Sequence, residues 1–248
     1  MPGPDPLSLF TTRAADYARA RPGYPAEAID ATLACLADPP TLIAADIGAG
    51  TGISARLLAD RAVRVLAIEP NAAMRAAAEP HPRVEFREGQ AERTGLADAS
   101  MDVVLCAQAF HWFRADEALA EFARILRPGA RLALLWNDPD TTDAATASYY
   151  DPVLAASTDR SICRPHDDPH AFWKSPLFRA RRTLAFSYTH ALTLDTLLAR
   201  AFSASYIPQS GPEADALAQR LREAHARHAD RQGRFAMRYL TRLFLAER

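Results

Sequence analysis

The run Asp46-Ile47-Gly48-Ala49-Gly50-Thr51-Gly52 constrains this chain more than any other segment, because glycines at alternate positions leave a turn that no side chain fills. Before it, the apolar stretch Thr41-Leu42-Ile43-Ala44-Ala45 reads as a buried strand. After it, Ile53-Ser54-Ala55-Arg56-Leu57-Leu58 has helical spacing. A strand that breaks on glycines into a helix lets a ligand approach main-chain amides closely. A second apolar run, residues 63–68, then ends in Glu69. An acid at the tip of the second strand, about 20 residues on, is suited to accept both hydroxyls of a ribose. The pattern therefore predicts a nucleoside-containing cofactor.

Two cofactors compete for such a site. The dinucleotide fingerprint G-x-G-x-x-G needs a third glycine where this chain has Ile53. Asp46 also places a carboxylate at the head of the turn, which suits an ammonium group better than a pyrophosphate. S-adenosylmethionine (SAM) carries a ribose, an adenine, a sulfonium and an α-amino group, and it fits these charges better than NAD. An NAD-dependent oxidoreductase and a non-catalytic SAM-sensing module are the rival classes.

Strands expected at residues 42–46, 63–68, 83–87, 102–106 and 131–136 alternate with helices at 53–60, 71–78 and 115–126. Such alternation implies a parallel sheet with right-handed crossovers. Asp46, Glu69, Gly89 and Gln108 fall at the carboxyl ends of successive strands, where ligands of open α/β sheets lie. Upstream, helices are expected over residues 14–21 and 25–37, the second punctuated by Asp38-Pro39-Pro40. From Asn137 to Ser175 the pattern loosens among prolines. Residues 184–189 then read as strand, 193–202 and 213–229 as helices, and 235–245 as a long last strand. The last two strands are expected to pair like a hairpin, one antiparallel to the sheet, with the intervening helices folded over its top edge.

In order along the chain, these segments resemble the class I SAM-dependent methyltransferases, and within them the trans-aconitate methyltransferase-like branch. Ala45-Asp46-Ile47-Gly48-Ala49-Gly50-Thr51-Gly52 looks like the first motif, and Ala67-Ile68-Glu69-Pro70-Asn71 with Met74 like the ribose motif. Gly89-Gln90-Ala91-Glu92 resembles the segment beside adenine. Residues 101–113, ending Gln108-Ala109-Phe110-His111-Trp112-Phe113, are similar to the fourth strand and its loop. Leu126-Arg127-Pro128-Gly129-Ala130 looks like the turn before the fifth strand, and residues 17–25 like the branch's N-terminal segment.

The resemblance implies a Rossmann-like α/β sheet, mostly parallel with an antiparallel last strand, helices on both faces and a helical cap. It implies one domain: a lid segment over residues 1–40, a SAM-binding core over 41–137, a cap and substrate region over 138–232, and a last strand over 233–248. With the residue reading above, it gives cofactor contacts to Tyr17, Arg21, Asp46, Gly48, Ala49, Gly50, Gly52, Glu69, Pro70, Met74, Gln90, Ala91, Glu92, Gln108 and Ala109. Tyr24, His111, Trp112, Trp136, Asn137, Trp173 and Tyr206 are then expected around the acceptor, with His111 as the candidate catalytic side chain. The implied reaction is methyl transfer from SAM to an O, N or C nucleophile of a small molecule, either a carboxylate or a heteroaromatic metabolite of secondary metabolism.

Composition narrows the partners. A net charge of -1 gives no basic face for nucleic acid, and Lys174 is the only lysine among the cations. Cys35, Cys106 and Cys163 form no C-x-x-C, so neither a disulfide framework nor a metal knuckle is expected. No apolar run approaches the roughly 18 residues of a membrane span. A cytoplasmic monomer or homodimer acting on a small molecule is the resulting expectation.

Overall fold

The computed structural model describes residues 21–158, 169–204 and 206–248. Its sheet is built from β1 (Ile43–Ile47), β2 (Arg64–Ile68), β3 (Val84–Arg87), β4 (Met101–Ala107), β5 (Leu126–Pro139), β6 (Arg179–Leu192) and β7 (Phe235–Glu247). The helices are α1 (Ala26–Leu33), α2 (Ile53–Ala59), α3 (Ala72–Ala76), α4 (Ala115–Ile125), α5 (Ala144–Ala156), α6 (His170–Lys174), α7 (Leu194–Phe202) and α8 (Pro212–His228). Strand order is β3-β2-β1-β4-β5-β7-β6. The first five pair in parallel, while β7 runs antiparallel between β5 and β6. This is the Rossmann-like, mostly parallel sheet that the sequence leads one to expect, with the antiparallel hairpin at its end.

Small and branched apolar residues explain why β1 lies at the centre. Ala44, Ala45 and Ile47 are wholly buried, and a strand covered on both faces reads as a continuous apolar run. One face of the sheet is closed by α4 and α6, with Phe122, Phe172, Trp136 and Phe244 in contact. The other carries α1 and α2 over Ala44, Val65, Leu105 and Leu243. Fully burying an aromatic such as Phe122 stabilises the fold by roughly 2–3 kcal/mol. A third cluster, centred on Phe235, Met237 and Leu221, joins α5, α7 and α8 to the far ends of β6 and β7 as the cap.

Several boundaries differ from expectation. The helix expected to reach residue 37 ends at Leu33, and Cys35 turns the chain with φ 62°. The fifth strand begins at Leu126, because the expected turn at Gly129 is a bulge within it where the pairing with β4 shifts register. β6 spans Arg179–Leu192, far beyond residues 184–189, since pairing with β7 extends it. Two helices, α5 and α6, occupy the stretch expected to be irregular. Asp143 starts α5 by accepting the Thr146 amide and hydroxyl, and Pro152 sits inside the helix. The prolines that obscured α5 thus proved a poor guide. No described helix is long and apolar enough to cross a membrane. The helix expected over residues 14–21 lies outside the described residues, apart from Arg21.

From β1 the chain winds outward through β2 to β3, then returns to β4 on the other side of β1. That reversal opens a crevice above the carboxyl ends of β1 and β4.

Candidate active site

A cavity of about 470 Å³ fills this crevice and runs under the cap. Pockets of 300–1,000 Å³ are the usual size for small-molecule sites. One end is bounded by Gly48, Ala49, Gly50, Glu69, Met74, Gln90, Ala91 and Glu92, and the other by Arg21, Tyr149, Tyr150, Arg200, Tyr206 and Tyr239. Gln108, Ala109, His111, Trp112 and Asn137 border it between the two.

At the first end the backbone does what few sequences allow. Gly48, Gly50 and Gly52 all have positive φ, at 70°, 56° and 77°. A Cβ on Gly48 would lie 2.7 Å from the Ala109 Cβ, and one on Gly52 would lie 2.7 Å from the Phe86 ring. The turn was expected to offer bare amides, and the structure corrects this. Gly48 and Ala49 donate to the Ile68 carbonyl, Gly52 donates to Ala49, and Gly50 donates to the Glu69 carboxylate at 2.9 Å. The turn therefore contributes empty space and close approach, not a cradle of unpaired donors.

Glu69 braces both sides of the crevice. Its second oxygen accepts the Asn71 amide at 2.9 Å, and Asn71 caps α3 through the amides of Ala73 and Met74. Burial pushes the Glu69 carboxyl above its ordinary value, while the Asn71 and Gly50 amides pull the other way. A carboxylate has about four lone-pair sites, so two remain for a ligand after these bonds. Glu92 accepts the Arg114 amide at 2.8 Å.

Asp46 and Gly52 border no part of the cavity. Asp46 is wholly buried beneath the turn, where it accepts the Ser54 hydroxyl at 2.7 Å and its other oxygen has no hydrogen-bond partner. Burial, first of all, raises its pKa to about 7. The expected role at an ammonium group does not follow from this position, since the side chain supports the turn from below. Gly52 likewise serves the packing of Phe86.

Where β4 ends, Gln108 takes φ 56°, a left-handed conformation that costs a non-glycine residue roughly 1–3 kcal/mol. The bond from its amide to the Leu135 carbonyl at 2.8 Å, and from its side chain to the Asn137 carbonyl at 3.2 Å, hold it there. Asn137 is buried: its amide nitrogen donates to the Gly23 carbonyl, and its oxygen accepts the Thr241 hydroxyl. It thus ties the N-terminal segment to the sheet. Trp136 is buried behind the cavity wall, and its indole N–H donates to His111, which borders the cavity. Trp173 packs on Phe172 and Phe244, away from the cavity, so its expected place at the acceptor is not where the fold puts it. Tyr17 lies outside the described residues.

Sequence reading named Arg21 and Tyr206 at the second end but missed Tyr150 and Arg200. Arg200 on α7 bonds the Tyr150 hydroxyl at 3.2 Å, and its guanidinium sits 5.6 Å from the centroid of the Tyr239 ring. Its charge and burial together place His190 in a hostile setting: burial and then Arg200 lower that imidazole to about 4. Burial pushes the Tyr149 and Tyr239 hydroxyls upward, so these two phenols stay protonated. The only hint in the sequence was the density of tyrosines and arginines on cap segments without a shared period.

Residues 45–134 match the family described as "Methyltransferase domain". Over 138 residues the chain is 38% identical to an uncharacterized methyltransferase-like protein of Schizosaccharomyces pombe, covering 55% of this chain and 54% of that one. Over 135 residues it is 42% identical to an uncharacterized methyltransferase of Mycobacterium tuberculosis, covering 53% of each. The chain spans about half the length of these curated relatives. Among solved structures it is similar to a protein provisionally titled a type II methyltransferase from Anaeromyxobacter dehalogenans. That similarity has 27% identity and a TM-score of 0.61, over 92% of this chain and 97% of that one.

Proposed function

We propose that this chain, whose residues 45–134 match a methyltransferase domain, moves a methyl group from SAM to a small acceptor bearing a carboxylate. The observation that carries the reading is the left-handed glycine turn after β1, bonded to the buried Glu69 carboxylate at the end of β2. These residues fit the cofactor: Gly48 and Gly50 border the cavity without side chains, and Glu69 keeps lone pairs for two ribose hydroxyls. Met74, Gln90 and Ala91 would flank the adenine, with Gln108 and Ala109 toward the amino-acid tail. The cofactor supplies a methyl group on a positively charged sulfur that leaves as a neutral thioether.

The protein's part is aim and dryness. Holding the acceptor oxygen in line at near-attack distance is worth roughly 7–11 kcal/mol. Excluding water from that oxygen spares it a hydration shell. Arg200, with Arg21 beside the same cavity end, supplies positive charge, and the tyrosine hydroxyls supply neutral donors. A guanidinium holds a carboxylate through two parallel bonds. The acids of the cavity wall, Glu69 and Glu92, stand at the opposite end. An ionised carboxylate needs no general base, so proton removal is no part of the reaction.

The NAD reading loses support from Ile53 in place of the third glycine. The sensing reading loses support from a cavity that continues past the cofactor end to Arg200. Titration calorimetry with S-adenosylhomocysteine and with NAD tests the first choice: binding of the former alone supports it, and binding of NAD alone overturns it. Release of S-adenosylhomocysteine from SAM, driven by a panel of small carboxylic acids and by their uncharged amides, tests the acceptor class. Turnover confined to the amides would refute a carboxylate acceptor.

A further inference from the structure

His111 stands on a three-residue helical turn, Phe110–Trp112, directly after β4, and it borders the cavity. The turn is pinned at both ends, because the Trp112 amide donates to Ala109 at 2.9 Å and the Phe113 amide donates to Phe110 at 3.2 Å. Behind it lies Trp136 on β5. Its indole is 2% exposed and held edge-to-face by Phe110 at 6.4 Å and Phe244 at 5.6 Å. The ring cannot pivot without breaking both contacts.

An indole nitrogen is a donor only, and a buried one takes an acceptor. Here the Trp136 N–H donates to His111 Nδ1 at 3.4 Å. A neutral imidazole has one nitrogen that accepts and one that carries the proton, and the bond made by one decides the state of the other. Nδ1 must keep its lone pair for the indole, so the proton belongs on Nε2.

We infer that Trp136 is a positioning residue that holds His111 in its Nε2–H form, so that His111 offers the acceptor a hydrogen-bond donor and not a base. This rests on the reading of the cavity as an acceptor site and assigns the role of its histidine. A carboxylate oxygen has lone pairs to spare: one receives the Nε2 proton in a hydrogen bond while another faces the methyl carbon. The contact fixes the angle of attack. No proton moves, which agrees with a nucleophile that is already ionised.

The direct test is NMR of protein carrying 15N-labelled histidine, near pH 7.5, with the His111 signals identified by their loss in His111→Gln. The expected pattern is a protonated Nε2 and an unprotonated Nδ1 in the wild type, averaging toward a mixture in Trp136→Phe. A protonated Nδ1 in the wild type overturns the inference, as does a Trp136→Phe spectrum identical to it. Should Trp136→Phe fail to fold, the wild-type pattern alone decides. Kinetics supply a second reading. Gln mimics Nε2–H and Asn mimics Nδ1, so kcat should fall further in His111→Asn than in His111→Gln, by about tenfold or more. The reverse order refutes a donor at Nε2. The spectrum does not depend on turnover, so its failure is separable from failure of the methyl-transfer reading, which calorimetry with S-adenosylhomocysteine tests by itself.

Discussion

At the proposed cofactor end of the cavity the wall centres on a turn of alternating glycines bonded to one carboxylate, with Met74, Gln90, Ala91 and Glu92 beside it. At the acceptor end it is side chains: Arg21 from the N-terminal segment, Tyr149 and Tyr150 from α5, Arg200 from α7 and Tyr239 from β7. The first end is gathered from the loops after β1, β2 and β3, with the glycine turn at its centre. The second is assembled from distant elements whose packing need only keep a shape, so its chemistry can change while the fold stays. The proposed methyl transfer would use this division: a fixed holder for the methyl donor and an adjustable one for the recipient.

The comparison breaks if the glycine turn proves dispensable. Gly48→Ala forces a Cβ to 2.7 Å from Ala109 at φ 70°. Strain and overpacking together cost about 3–5 kcal/mol, so affinity for S-adenosylhomocysteine should fall by roughly 100-fold or more in calorimetry. An affinity within threefold of wild type would mean that the turn does not hold the cofactor.

The next largest effect concerns the two buried ionisable groups, one beneath each end. Asp46, raised to about 7 by burial, keeps a proton in the folded state that the unfolded chain has released above the ordinary value of 3.8. Its contribution to stability is therefore full at low pH and lost as pH rises toward about 7, by roughly 4 kcal/mol at most. His190, lowered to about 4 from 6.5, behaves oppositely: its contribution is full above 6.5 and lost as pH falls toward about 4. In the wild type the two slopes offset each other. Asp46→Asn should remove the first and leave stability rising with pH between about 4 and 6.5, as read from urea unfolding at a series of pH values. A variant whose pH profile matches the wild type would show that Asp46 titrates normally.

A smaller effect isolates the acceptor end. Arg200→Gln removes the charge and shortens the side chain that bonds Tyr150, while keeping a neutral donor. Loss of a charged hydrogen bond to a carboxylate costs about 1.5–3 kcal/mol, so KM for the acid should rise roughly 10- to 100-fold. Affinity for S-adenosylhomocysteine should stay unchanged. Equal losses at both ligands would erase the distinction between the two ends.

The same division governs what could be read without a structure. Gly48, Gly50, Gly52 and Glu69 are legible because backbone conformation is dictated locally and the strand-turn-helix period frames it. The parallel order of β1 to β5 follows from alternation alone. Asp46 was read correctly as belonging to the turn, but burial decides which way it faces, and spacing says nothing about that. Arg200 and Tyr150 lie on helices whose apolar period shows only that they pack, and α5 was hidden by Pro152. Trp173 looked like a pocket wall because aromatics near a loop suit one, yet the tertiary contact with Phe244 took it elsewhere.

The central claim is that Glu69 and the glycine turn together hold the nucleoside. Calorimetric titration of S-adenosylhomocysteine into wild type, Glu69→Gln and Glu69→Ala, with thermal melts as the control on folding, tests it most directly. The account predicts about 30-fold or greater weakening for Glu69→Ala and an intermediate loss for Glu69→Gln, which keeps one accepting oxygen. A folded Glu69→Ala protein that binds as tightly as the wild type would contradict it.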